Sequence, residues 1–292
     1  MKIVQILGGL GNQMFQYAFL VALRERFKQE TLMDISLFDT YPLHNGFELD
    51  RIFNITSRPA HDNEVHRLYH RFFSHSYFAS KIYRHFFPKL KSEVKDYPDG
   101  RYDNTIMSDD RDLYYLGDWQ NHQYFDEYKD VIKKDFTWKE ELDGKNKDLV
   151  SKMSEGHFCS IHVRRGDYVN HPRYKGICDV DYYKSAISLI KSRFFGGIRF
   201  VVFSNDIFWC KRHLSPLIND QETLYVDWNK GVDSYKDMQL MANCHANIIA
   251  NSSFSWWGAY LNVHNNPIVI APKKWINMEK AFEMSLPEWI KI

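Results

Sequence analysis

Short apolar runs recur through the second half of the chain, and each breaks off at small or polar residues ahead of further chain with helical patterning. They are Phe158 to Val163, Ile198 to Phe203, Thr223 to Val226, Ala246 to Ala250 and Ile268 to Ile270. Strands that lack polar alternation are buried on both faces, which requires helices above and below the sheet. A strand followed by a helical crossover returns parallel to its neighbour. The pattern predicts an α/β fold on a parallel sheet, whose ligands gather outside the carboxyl ends of the strands.

The N-terminal end repeats the scheme. Ile3 to Leu7 reads as a buried strand, Gly8-Gly9-Leu10-Gly11 as a turn, and Phe15, Phe19, Ala22 and Leu23 as the apolar face of a helix starting near Asn12. Thr31 to Ile35 reads as a second strand, and Phe47, Leu49, Ile52 and Phe53 as a short amphipathic element. Tyr124, Phe125, Tyr128, Val131 and Ile132 fall on one helical face. The polar run Lys139 to Gly156 reads as a helix boundary and a connection, which divides the chain into domains 1–150 and 151–292.

Composition excludes several classes. At 292 residues and 44% hydrophobic the chain buries substantial cores, and 38 Lys+Arg against 37 Asp+Glu leave a formal charge of +1, so no global field draws it to nucleic acid. Any anion site must be local. Four widely spaced cysteines, Cys159, Cys178, Cys210 and Cys244, form no C-x-x-C pair and read as reduced thiols. The apolar run at Met1 to Gly8 is too short for a signal peptide, so a cytosolic protein is expected. Residues 65–92 are the exception in charge: six Lys and Arg with no acidic residue, interleaved with eight Tyr and Phe. A helical pair with solvated charges and a surface for peripheral contact with the inner face of a membrane or an anionic acceptor both remain open.

Three strand ends carry candidate chemistry. His162-Val163-Arg164-Arg165-Gly166-Asp167 places two guanidiniums and an imidazole where such sheets bind ligands, and an Arg fork matches phosphate oxygens. The alternative is a structural Arg-Asp cluster. Gly8 to Gln13 sets free amides at a helix start but lacks the third glycine of a dinucleotide fingerprint, so a tight turn explains it equally well. Asn251-Ser252-Ser253-Phe254-Ser255-Trp256-Trp257 hands a strand to a helix, as phosphate ligands or as a cap with core tryptophans. Ser204-Asn205-Asp206 ends a fourth strand. The D-x-D patterns Asp110-Arg111-Asp112 and Asp179-Val180-Asp181 read as loop and helix-cap carboxylates rather than metal ligands.

Taken in order, Gly8-Gly9-Leu10-Gly11-Asn12-Gln13-Met14-Phe15-Gln16-Tyr17-Ala18, His162 to Tyr168, Phe203 to Asp206 and Asn251 to Ala259 resemble the motif set of bacterial α-1,2-fucosyltransferases, glycosyltransferase family 11. Gly46 to Phe53 and Trp289-Ile290-Lys291 are similar too, and Asn205 departs from the family's usual Asp. The resemblance implies a GT-B-type enzyme, two Rossmann-like domains facing across a cleft, 1–150 serving the acceptor and 151–292 binding GDP-fucose. It implies inverting transfer of fucose to the 2-hydroxyl of a galactoside, in polysaccharide such as O-antigen, without a metal or other cofactor and with no nucleic-acid partner. Carried over, Arg164 and Arg165 hold the diphosphate, His162 and Asp237 face guanine and ribose, and Ser252, Ser253 and Ser255 line the phosphate end. Asn12, beside Gly11, reaches toward the β-phosphate or fucose, and Ser204, Asp206, Asn251 and Phe254 complete the donor site. Arg164, Asn12 and Asp167 are the catalytic candidates. Asp167, His171, Glu48, Asp39 and Asp118 are alternatives for a general base, as is proton transfer without one.

Overall fold

The computed structural model describes residues 1–69, 92–218, 223–279 and 283–292. Among these, ten strands form two parallel sheets, in compact units Met1–Lys139 and Glu140–Ile292. The basic aromatic stretch 65–92 lies outside the described residues except at its ends. There Val65 and Leu68 enter the first core and the Tyr69 ring stacks 4.4 Å from that of Tyr114.

In the first unit β1 (Lys2–Gln5), β2 (Thr31–Asp34), β3 (Glu93–Lys95) and β4 (Leu113–Leu116) pair in the order β2-β1-β4-β3. The helix Leu10–Phe27 joins β1 to β2 and buries two glutamines along with its apolar residues. Both are fully used. Gln13 Nε2 donates to the carbonyls of Gly8 and Gly46 at 2.9 and 2.8 Å, and its Oε1 accepts the Glu48 amide at 2.9 Å. Gln16 Oε1 accepts the Leu7 amide at 2.8 Å, and its Nε2 donates to Gly117 O at 3.1 Å. Buried side-chain amides are tolerated when satisfied, and here they tie three loops to one helix.

The helix expected over 124–132 is replaced by 3-10 turns His122–Tyr124 and Asp126–Tyr128 followed by a helix Lys129–Asp135. Tyr124, Phe125 and Ile132 are buried all the same, so the apolar pattern is met by successive turns rather than by one continuous helix. The β3 strand was not expected, because Glu93 and Lys95 give it no apolar pattern.

The second unit contains β5 (Phe158–Val163), β6 (Arg199–Ser204), β7 (Leu224–Val226), β8 (Ala246–Ile248), β9 (Ile268–Ala271) and β10 (Ile290–Lys291). The order is β10-β9-β8-β5-β6-β7, all parallel. Strand order reverses between β5 and β8, the doubly wound arrangement in which ligands bind at the switch point. Alternate residues feed two cores. Cys159, Ile161, Val163, Phe200 and Val202 pack with Tyr183, Ile187 and Leu214, whereas Phe158, Val201 and Phe203 pack with Leu149, Leu240 and Met241.

The units divide at 139/140, ahead of 150/151, because the run expected to be a connection holds a helix, Gly144–Met153. Its Leu149 and Met153 enter the second core. Burying two such side chains contributes about 3 to 6 kcal/mol, against roughly 1 kcal/mol each for glycine and asparagine in a helix. The four cysteines are free thiols. Among the described residues no helix is long and apolar enough to cross a membrane.

Candidate functional site

At the carboxyl end of β5 the chain turns through Gly166, whose φ is +60°. A Cβ there would lie 2.7 Å from Asn205 Nδ2, so glycine suits both the backbone and the space. The same Asn205 accepts the Arg165 amide on Oδ1 at 2.9 Å. That bond requires an oxygen and no charge, so asparagine fills it as aspartate would.

The two arginines differ. Arg165 Nε donates to Asp206 Oδ2 at 3.1 Å, and its guanidinium sits 4.3 Å over the Trp209 ring. Asp206 Oδ1 accepts the Trp209 amide at 3.0 Å, and Ser204 Oγ accepts the Asp206 amide at 2.9 Å. Arg165, Ser204 and Asp206 thus join the ends of β5 and β6, as in the structural Arg-Asp alternative. Arg164 has a looser setting. Its Nη2 meets Asp167 Oδ1 at 2.8 Å, but the Asp167 side chain is 62% exposed. Its Nε is buried and has no hydrogen-bond partner among the described residues.

His162 Nδ1 is likewise buried without a partner among the described residues, and the ring lies 5.8 Å from that of Phe254. Burial, and then the Arg164 charge, push its pKa down to about 3, so it is neutral at pH 7. Two unsatisfied nitrogens therefore adjoin at the switch point. Buried polar atoms in a native protein are nearly always paired, which makes this pair the candidate for an outside partner at the switch point.

Beyond β8, the helix Ser253–Tyr260 opens at Ser252 with no side-chain cap, and an uncapped helix start favours an anion. Other polar groups of the motif are spent on the turn. Asn251 Nδ2 donates to Trp275 O at 3.1 Å, and the wholly buried Ser255 Oγ donates to Ser252 O at 3.3 Å. Trp256 and Trp257 are core residues, and Trp256 Nε1 donates to Met284 O at 2.9 Å. Ser253 and Phe254 are half-buried in the first turn.

Asp237 stands on the helix Tyr235–Ala242, after β7. Burial raises its pKa to about 7, opposed by the Asn229 amide. In the first unit Gly11 is buried in its helix, and Asn12, half-buried, accepts Gln120 Nε2 on Oδ1 at 2.9 Å. Of the proposed bases, Glu48 is buried with Arg51 at 2.9 Å and its pKa is raised by burial, whereas Asp39, Asp118, Asp167 and His171 are exposed. In the D-x-D segments, Asp112 pairs with the Met1 amine and Asp179 caps the helix Val180–Arg193 through the Tyr182 amide at 2.9 Å. Among the described residues no group of three His, Cys, Asp or Glu converges as a metal site.

Sequence reasoning missed Asp96, which accepts the Trp119 amide at 2.7 Å and stands so close to Gly117 that a Cβ there would lie 2.2 Å from its own. Burial lifts its pKa to about 6. It also missed Asn146, Trp228 and Asn229 around Asp237. Neither group has a local signal, because the partners lie far apart in the chain.

Two parallel α/β units, the second doubly wound with a cationic strand end at its switch point, define a GT-B-type glycosyltransferase fold. A solved NodZ α-1,6-fucosyltransferase co-crystallised with GDP shares it, with a TM-score of 0.53 at 13% identity over 88% of this chain and 91% of that one. Residues 1–292 match glycosyl transferase family 11, and the chain belongs to that family. It is 33% identical to an α-1,2-colitosyltransferase of Escherichia coli, covering 99% of this chain and 98% of that protein. It is 32% identical to an O-antigen biosynthesis glycosyltransferase, WbnK, of the same organism, over 98% of each chain.

Proposed function

We propose that the protein transfers L-fucose from GDP-fucose to the 2-hydroxyl of galactose in a glycan acceptor, with inversion, in the cytoplasmic assembly of a bacterial surface polysaccharide. The observation that carries this is the pair of unpartnered buried nitrogens, Arg164 Nε and His162 Nδ1, beside an uncapped helix start. A nucleoside diphosphate supplies acceptor oxygens for such donors and an anion for the helix terminus. The second unit takes the donor and the first serves the acceptor.

In the reaction the bond from fucosyl C1 to the β-phosphate oxygen breaks as the acceptor oxygen bonds to C1 from the opposite face. Charge grows on the departing GDP while the ring becomes oxocarbenium-like. Arg164 then gains more in the transition state than in the ground state, which raises kcat rather than only tightening binding. Asp167, now paired with Arg164, releases it when the stronger phosphate anion arrives. The acceptor proton passes to a carboxylate or to solvent. No metal is required in this scheme, because guanidinium and helix terminus neutralise the diphosphate.

A second reading keeps the site and changes the sugar, since the E. coli relative named above is a colitosyltransferase. Incubation with GDP-fucose or GDP-colitose and a panel of galactosides, followed by linkage analysis, tests both. Acceptor-dependent GDP release with an α-1,2 fucosyl product supports the first. Turnover of the colitosyl donor alone replaces it with the second, and no turnover of either refutes both.

A further inference from the structure

We propose that Asn229 and Asn146 are positioning residues for the donor nucleoside: their paired amides hold the Asp237 carboxylate in one orientation toward the hydrogen-bond donors of guanosine. This rests on the reading of Asp237 as a donor-site residue. Asn146, on the helix Gly144–Met153, is buried, and Asn229 lies in the loop after β7. Their amides form a reciprocal pair, Nδ2 of each donating to Oδ1 of the other at 2.9 Å. Asn229 Nδ2 also donates to Asp237 Oδ1 at 2.8 Å.

The polarity of this chain is set at its far end. Trp228 Nε1 donates to Asn146 Oδ1 at 2.8 Å, and an indole nitrogen is a donor that never accepts. The atom facing it must therefore be the amide oxygen. Asn146 Nδ2 must then face Asn229 Oδ1, which leaves Asn229 Nδ2 for Asp237. An indole at one end and a carboxylate at the other admit one arrangement of the two amides between them. The chain delivers an N–H to Asp237 and so favours the ionised form that burial opposes. Charged neighbours do not substitute for it: Lys236 pairs with Asp233 at 3.1 Å and Asp143 at 3.4 Å, and Lys145 lies 5.6 Å over the Trp228 ring. Oδ2 of Asp237 has no protein hydrogen bond among the described residues and is the oxygen left for the ligand.

A tie that merely fastened the helix to the loop would affect melting temperature but leave ligand titration alone. The test is calorimetric titration of GDP against the wild-type protein, N229A, N146A and D237N from pH 5.5 to 8.5, with thermal melts of each. Wild-type affinity should rise with a midpoint near 7. N229A should weaken GDP about five- to tenfold at pH 7 and move the midpoint upward, because the lost hydrogen bond favoured the ionised form. N146A, which unlocks the amide polarity, should shift both in the same direction by less. If D237N loses GDP while N229A binds within twofold of wild type at an unmoved midpoint, the positioning inference is wrong and the donor-site reading stands. If D237N itself binds GDP like wild type, Asp237 is outside the donor site and the inference falls with that reading.

Discussion

Replacing Arg164 by alanine should nearly abolish transfer while leaving the fold in place. On the folding side the lost contacts are weak. The ion pair to Asp167 joins residues three apart whose side chains are 32% and 62% exposed, and such pairs contribute about 0.3 to 0.5 kcal/mol. The guanidinium lies 5.2 Å over the Tyr168 ring, which adds about 0.5 kcal/mol at a partly exposed site. A total near 1 kcal/mol lowers the melting temperature by about 2 to 4 °C. On the catalytic side, removing one preorganised donor from a site of developing charge costs about 3 to 4 kcal/mol, or roughly 10²- to 10³-fold in kcat. Initial rates of acceptor-dependent GDP release at saturating donor, with thermal melts of the same preparations, separate the two. Arg165→Ala is the control, since Asp206 and Trp209 hold that side chain and its loss should lower stability more. A kcat within tenfold of wild type for Arg164→Ala would refute the argument, as would a melting temperature that falls by more than about 10 °C.

Other outcomes follow from the same geometry. Gly166→Ala should destabilise the second unit by roughly 1 to 3 kcal/mol and lower kcat, because φ of +60° is strained for alanine and Asn205 cannot withdraw without releasing the Arg165 amide; denaturant melts and rates check it. Transfer should persist in excess EDTA, measured as GDP release after chelation and dialysis, and an activity that returns only with added divalent cation would count against the scheme. Asp237 has a folded pKa near 7 against 3.8 ordinarily, so the unfolded chain gives up its proton first. That contribution to stability is present below about pH 4 and lost as pH rises to 7. Asp237→Asn should therefore be more stable than wild type at pH 7.5, with the gain vanishing near pH 4 in denaturant titrations.

Much of this was legible before any fold was known, and for a local reason. A strand buried on both faces is predominantly apolar along its length, so Phe158 to Val163 was readable as a buried strand despite Ser160 and His162 within it. A glycine followed by a polar group at a strand end marks a turn, so Arg164, Arg165 and Asp167 could be placed at the carboxyl end of β5. The edge strands β3 and β10 were not readable, since they owe their conformation to hydrogen bonds from a neighbour rather than to their own side chains. The helix Gly144–Met153 was missed because its polar face dominates, and only Leu149, Val150 and Met153 mark the side it packs with.

Within the site the division is sharper. Residue type and order placed both arginines at one strand end, but which of them is spent on the protein depended on β6 lying beside β5, which brings Asp206 and Trp209 under Arg165. The serines after β8 read as equal phosphate ligands, until the helix start turned Ser255 inward and left Ser252 uncapping. Asn146 and Asn229 carry no motif at all, and their chain to Asp237 exists only because a helix and a strand-end loop meet. Periodicity and turn chemistry act over a few residues and are written along the chain, whereas hydrogen-bond satisfaction is a property of neighbours in space. Sequence alone determined the parallel α/β architecture, its central strands and the charge at their carboxyl ends; tertiary contacts decided the edge strands and which polar atoms the protein itself satisfies.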